Sequence, residues 1–94
     1  MEIIMKKTII TVVGKDSVGI IAKVCTYLSD KTINILDISQ TIVDGYFNMM
    51  MIVNMEDATK SFAEISEELE KMGEEIHCII RVQREEIFNK MHRI

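Results

Sequence analysis

The stretch Ile33-Asn34-Ile35-Leu36-Asp37-Ile38-Ser39-Gln40-Thr41-Ile42-Val43-Asp44-Gly45-Tyr46-Phe47-Asn48-Met49-Met50-Met51-Ile52-Val53-Asn54-Met55 decides the fold. Its middle pair, Asp44-Gly45, is a dipeptide favoured in two-residue hairpin turns of type I′, where both residues need positive φ. Tyr46–Met55 reads as a strand. Phe47, Met49, Met51, Val53 and Met55 share one parity, while Tyr46, Asn48 and Asn54 share the other. That is one core face and one mixed face. Ile33–Val43 reads as the strand before the turn, but its alternation slips. Ile33 and Ile35 fall on one parity, then Leu36, Ile38 and Ile42 on the other. A slip of phase inside one strand predicts a bulge or late strand entry near Asn34–Asp37.

Upstream of the hairpin, Lys6–Val13 reads as a strand with apolar groups on both faces, followed by Gly14-Lys15-Asp16-Ser17-Val18-Gly19-Ile20 and a helix over about Val18–Asp30. A strand that stops at Gly and re-enters as a helix capped by Asp or Ser leaves backbone N–H groups free for a carboxylate or phosphate. The helix carries two stripes of helical spacing. Val18, Ile21, Ala22, Cys25 and Leu28 are expected to face inward; Ile20, Val24 and Tyr27 form the second. The second stripe either widens the core face or meets a partner chain or ligand.

Downstream, a second helix is expected over about Thr59–Met72, with Phe62, Ile65, Leu69 and Met72 inward and Gly73 ending it. Glu75–Gln83 reads as a fourth strand, with Ile76, Cys78, Ile80 and Val82 inward. Glu85–His92 has the apolar spacing of a short third helix, and its Ile87, Phe88 and Met91 should dock on the domain or on a partner.

Ninety-four residues, 48% hydrophobic and 28% charged, describe one globular domain over residues 1–94, with a core of about 6–83 and a C-terminal helix at about 85–92. The net charge of −4 argues against non-specific nucleic-acid binding. Cys25 and Cys78 match no metal or redox spacing and read as core thiols of a reducing compartment. No run reaches membrane-spanning length and the N-terminus is too short and acidic for a signal peptide, so the expectation is a cytoplasmic protein with no membrane partner.

The order strand, helix, strand, strand, helix, strand, with right-handed crossovers, predicts an α+β fold. It is the ferredoxin-like βαββαβ sandwich, a four-stranded antiparallel sheet in the order 4-1-3-2 with both helices on one face. The second strand of the chain is then an edge, which invites pairing.

Residues 9–22, from Ile9 through Gly14 and Gly19 to Ala22, resemble the opening strand, loop and helix start of ACT domains, and Asn34–Gln40 resembles their second strand. With the hairpin, the Phe47–Met51 strand and the tail Ile87–Met91, the resemblance covers nearly the whole chain. It is greatest to the stand-alone, single-domain ACT proteins of bacteria and archaea. Many ACT domains place Pro before the loop Gly, where this chain has Val18. That removes a rigid first helical position but not the turn.

The resemblance implies a non-catalytic regulatory module that binds an amino acid or related metabolite, with no cofactor and no metal. It implies a homodimer in which two sheets continue side by side, with the ligand between Asp16, Ser17, Val18, Gly19 and Ile20 of one chain and Asn34, Ile35 and Asp37 of the other. The residue chemistry is compatible: N–H groups for a carboxylate, Asp16 or Asp37 for an ammonium, and Asn34 to donate and accept. Plainer roles stay open, with Asp16 a helix cap, Asn34 a turn residue and Asp37 an edge charge. The competing implication is an ACT-like dimer that binds a protein partner and no small ligand. Other functions of this fold fit less well. An acylphosphatase-like enzyme needs an Arg anchor in the first loop, where only Lys15 is cationic, and no nucleophile–base pair is evident. An RNA-binding module needs sheet aromatics that the first strand lacks. A heavy-metal carrier needs paired cysteines in the first loop.

Overall fold

The computed structural model describes residues 7–15 and 17–84. They form β1 (Lys7–Gly14), α1 (Ser17–Asp30), β2 (Asn34–Val43), β3 (Tyr46–Asn54), α2 (Phe62–Glu75) and β4 (Ile79–Arg84). The sheet is antiparallel with the order β2-β3-β1-β4, the expected order read from the other edge. Asp44 and Gly45 have φ of 53° and 81°, as the type I′ turn requires, and Val43 faces Tyr46 across it. The slip of phase is a bulge: Ile35 opposes Val53 and Asp37 opposes Ile52, leaving Leu36 as the extra residue. Asp16 and the helix expected at 85–92 lie outside the described residues.

The core lies on one side of the sheet. Ile10 and Val12 of β1, Phe47, Met49, Met51 and Val53 of β3, and Ile80 and Val82 of β4 cluster there with Ile20, Val24 and Leu28 of α1 and Ile65 and Leu69 of α2. Each such aliphatic chain gains roughly 1.5–3 kcal/mol on burial.

The rotation of α1 differs from expectation. Ile20, Val24 and Leu28 are buried, with Ile21 and Tyr27 half-buried beside them, whereas Val18 and Ala22 are exposed and Cys25 is half-buried. Both stripes keep the helical rhythm, so bulk and the entry of the helix decide between them. Ile20, Val24 and Tyr27 outweigh Val18, Ala22 and Cys25, and the short link from β1 brings Ile20 directly over Gly14.

Helix α2 begins and ends three residues later than its apolar spacing implies. Ser61 is its N-cap: its hydroxyl accepts from the Glu64 N–H at 3.2 Å, and the Glu64 carboxylate accepts from the Ser61 N–H at 3.2 Å. This capping box satisfies two helix-start donors and fixes the first turn. At the other end Gly73 does not stop the helix. It is buried inside it, where a Cβ would come within 2.9 Å of the Cys78 carbonyl oxygen and 3.1 Å of Ile80 Cγ1. Glycine is there so that α2 can lie close to β4. The helix ends instead at His77, with φ 58°, whose N–H reaches the Glu74 carbonyl at 3.4 Å while the Cys78 N–H reaches that of Gly73 at 2.8 Å. This Schellman closure holds Glu75 and Ile76 in the helix end, so β4 starts at Ile79. Helix α1 closes the same way through Thr32, also at φ 58°, with Thr32 N–H on Ser29 and Ile33 N–H on Leu28. A left-handed residue that is not glycine costs roughly 1–2 kcal/mol.

A polar link joins the two helices. The Tyr27 hydroxyl donates to Glu68 Oε1 at 2.5 Å, and Lys60 Nζ meets Glu68 Oε2 at 2.5 Å. Lys60 first, then Tyr27, hold the Glu68 carboxyl below the usual carboxylate range. Burial, then Glu68, pushes the Tyr27 phenol upward.

Candidate functional site

The loop end of the site grows out of β1. Gly14 is buried, and a Cβ there would fall 2.6 Å from Ile20 Cδ1 and 2.7 Å from Cys78 Cβ. The missing side chain lets the α1 start and the α2–β4 link close together under the loop. Helix α1 then starts at Ser17. Val18 is 78% exposed and Gly19 half-buried, so these two stand at the surface of the first turn. Ile20 is 1% exposed and packs into the core. Its side chain positions the loop from the core side.

The second set stands elsewhere. Asn34, Ile35 and Asp37 lie at the start of β2, all exposed. Asp37 Oδ1 accepts from the Ile38 N–H at 2.8 Å, which turns the carboxylate partly onto its own strand at the bulge. In register, Asn34 faces Asn54, which faces Lys7, whereas Ile42 faces Phe47, which faces Gly14. The two sets therefore occupy opposite ends of the sheet. Seven strand steps separate them along it, roughly 23 Å. Within one chain the fold does not bring them together.

Their surroundings differ in chemistry too. All ten residues of β2 are exposed, and its outer edge has no strand partner among the described residues. Ile35, Ile38 and Ile42 share the side of the sheet that bears the core residues Val53, Met51 and Phe47. They add an apolar margin to the core side at this edge.

Beside the loop lies an open hollow of about 310 Å³, lined by Gly14, Lys15, Tyr46, Glu74, His77 and Cys78 among others. Lys15 Nζ sits over the Tyr46 ring, 5.3 Å from its centre. Burial pushes the Cys78 thiol upward, away from the reactive thiolate. The sequence reading did not place Tyr46 near the loop, although the hairpin register carries the signal: with Gly14 opposite Phe47, Lys15 comes level with Tyr46. His77 had no such signal, since its position follows from an unusual left-handed conformation. Among the described residues no group of three or more His, Cys, Asp or Glu is arranged to hold a metal ion, and no helix is long and apolar enough to cross a membrane.

Comparison with known proteins adds four findings. The model of a family described as the ACT domain matches residues 6–83. A UPF0237 protein of Bifidobacterium longum is 64% identical over 90 residues, covering 96% of this chain and 100% of that one. A UPF0237 protein of Listeria innocua is 51% identical over 88 residues, covering 94% and 99%. Among solved structures, an ACT domain protein from Streptococcus pneumoniae superposes with a TM-score of 0.79 at 41% identity, over 90% of this chain and 96% of that one.

Proposed function

Because the chain belongs to the ACT domain family, we propose that it is a non-catalytic, cytoplasmic regulatory module that senses an amino acid or related metabolite between two copies of itself. ACT domains are regulatory small-molecule-binding modules. The observation that carries the finer reading is the separation of the two residue sets. A two-fold axis that pairs β2 with β2 of a second copy antiparallel reverses one strand against the other. The Asn34–Asp37 end of the partner then comes level with the Gly14–Gly19 end of the first chain. Any ligand held by both sets is held between chains.

The edge fits this pairing. A ten-residue strand with apolar side chains and one hydrogen-bonding row that has no strand partner among the described residues is a ready template. The Val18, Ala22 and Cys25 stripe of α1, which the core leaves outside, supplies a second apolar element for a partner. At the site itself, the start of the helix at Ser17 offers its N-terminal end to a carboxylate, Asp16 and Asp37 offer negative charge to an ammonium, and Asn34 and Ile35 line the remaining side.

The experiment is a thermal-shift screen of the twenty amino acids at millimolar concentration. A ligand of the native state raises Tm, by an amount equivalent to about 2.7 kcal/mol at a hundredfold excess over Kd. A rise for one chemical group of amino acids is the expected result. No rise with any of them would favour a dimer that binds a protein partner instead.

A further inference from the structure

We propose that the hollow beside Gly14 is a second binding site, complete within one chain, and that it takes a small zwitterion with an apolar side group. It is separate from the two-chain site above, since none of the described residues that line it belongs to β2. Three strands supply its apolar part. Val13 of β1 faces Ile79 of β4 directly, and Tyr46 of β3 lies diagonally across from Val13 on the same face of the sheet. All three line the hollow, and they are 37%, 60% and 45% exposed. Apolar groups gathered at a concave surface gain by covering an apolar ligand.

The charges around this apolar part come in both signs and do not cancel each other. Lys15 follows β1, and its Nζ lies 5.3 Å from the centre of the Tyr46 ring, which keeps the ammonium beside the apolar groups. Glu74, in the last turn of α2, lines the same hollow. Among the described residues neither Lys15 nor Glu74 takes part in an ion pair. The left-handed turn at His77 adds a third polar residue to the lining, whose imidazole can donate or accept. A ligand with one negative charge would meet Lys15 but be repelled by Glu74, and one with a positive charge would meet the reverse. A zwitterion engages both, its carboxylate toward Lys15 and its ammonium toward Glu74, with its side group on Val13, Ile79 and Tyr46. The volume of about 310 Å³ is at the small end of ligand sites, the scale of one leucine or phenylalanine molecule.

The test titrates leucine and phenylalanine into the full chain and follows its backbone amides by nuclear magnetic resonance, in the parent and in Lys15→Met, Glu74→Gln and Ile38→Lys. The same spectra show that each variant is folded. The expected result is that the amides of Gly14, Tyr46 and His77 shift with ligand, and that Lys15→Met and Glu74→Gln each raise Kd at least about tenfold. Isocaproate and isoamylamine, which are leucine without its ammonium and without its carboxylate, should bind at least about tenfold more weakly than leucine. Ile38→Lys, which strikes the β2 edge, should keep the parent Kd, because one chain suffices. No shift of these amides at millimolar ligand, or a Kd that neither Lys15→Met nor Glu74→Gln changes, would overturn the proposal. Binding that is lost in Ile38→Lys and kept in both hollow variants would favour the two-chain site and overturn this one.

Discussion

At one end of the sheet Gly14 is closed in by Ile20 and Cys78 with no room for a methyl group; at the other, Asn34, Ile35 and Asp37 stand on a strand whose ten residues are all exposed. One half of the candidate site is finished by packing within the chain. The other half gains almost nothing from its own fold beyond the ladder to β3. The two sheet edges repeat the contrast. Strand β4 is short, carries Arg81 and Arg84, and keeps Ile80 and Val82 buried in the core. Charge and shortness blunt such an edge against pairing. Strand β2 has neither protection: it is ten residues long, and Asp37 is its one charged residue. A protein that needed both edges silent would treat them alike.

The contrast can be broken from either side. Gly14→Ala strikes the half built by packing. The new methyl meets Cys78 Cβ, which cannot swing away, so the fold should lose about 2–3 kcal/mol in a urea or thermal melt. A variant as stable as the parent would mean that the loop is not held as described. Ile38→Lys strikes the exposed half. It puts a charge in the middle of the open edge and should weaken self-association about thirtyfold or more, roughly 2 kcal/mol, while the far-ultraviolet spectrum stays that of the parent. Arg81→Glu on the other edge should leave association unchanged.

Two smaller effects sharpen the picture. Thr32→Gly relieves a β-branched residue at φ 58° in the turn that feeds Asn34. Stability should rise by about 1 kcal/mol, because the strain relieved exceeds the backbone entropy added to the unfolded chain. A loss would show that the Thr32 side chain matters more than its backbone. Glu68→Gln, in the link between the helices, should show its effect through pH. The folded Glu68 carboxyl lies below its usual pKa, so its contribution is present above the unfolded value and fades as pH falls through the folded one. The stability curves of parent and variant should therefore differ at neutral pH and converge in acid. Parallel curves would deny the ion pair with Lys60 any role.

The sequence reading succeeded where chemistry is local. Asp44-Gly45 dictates its turn, and the slip between Ile35 and Leu36 is the bulge itself. Element order then leaves few topologies. It failed where two local answers are equally good and a distant contact decides. Both α1 stripes fit a helix, and only the approach of Ile20 to Gly14 shows which one faces the core. Gly73 looks like a helix end, and only the closeness of β4 shows that it is a packing residue. The end of α1 at Asp30 was legible, but His77 is an uncommon residue type for a left-handed cap, so the end of α2 was not. In the site, the loop was read correctly as a turn between strand and helix.

The central claim is that β2 is an interface and not a bare edge. Sedimentation equilibrium of the full chain at micromolar concentration tests it most directly, with Ile38→Lys run beside it. The account predicts twice the 10.8 kDa chain mass for the parent and a shift toward 10.8 kDa for the variant. A parent chain that sediments as a monomer, or an Ile38→Lys chain that associates as tightly as the parent, would contradict it.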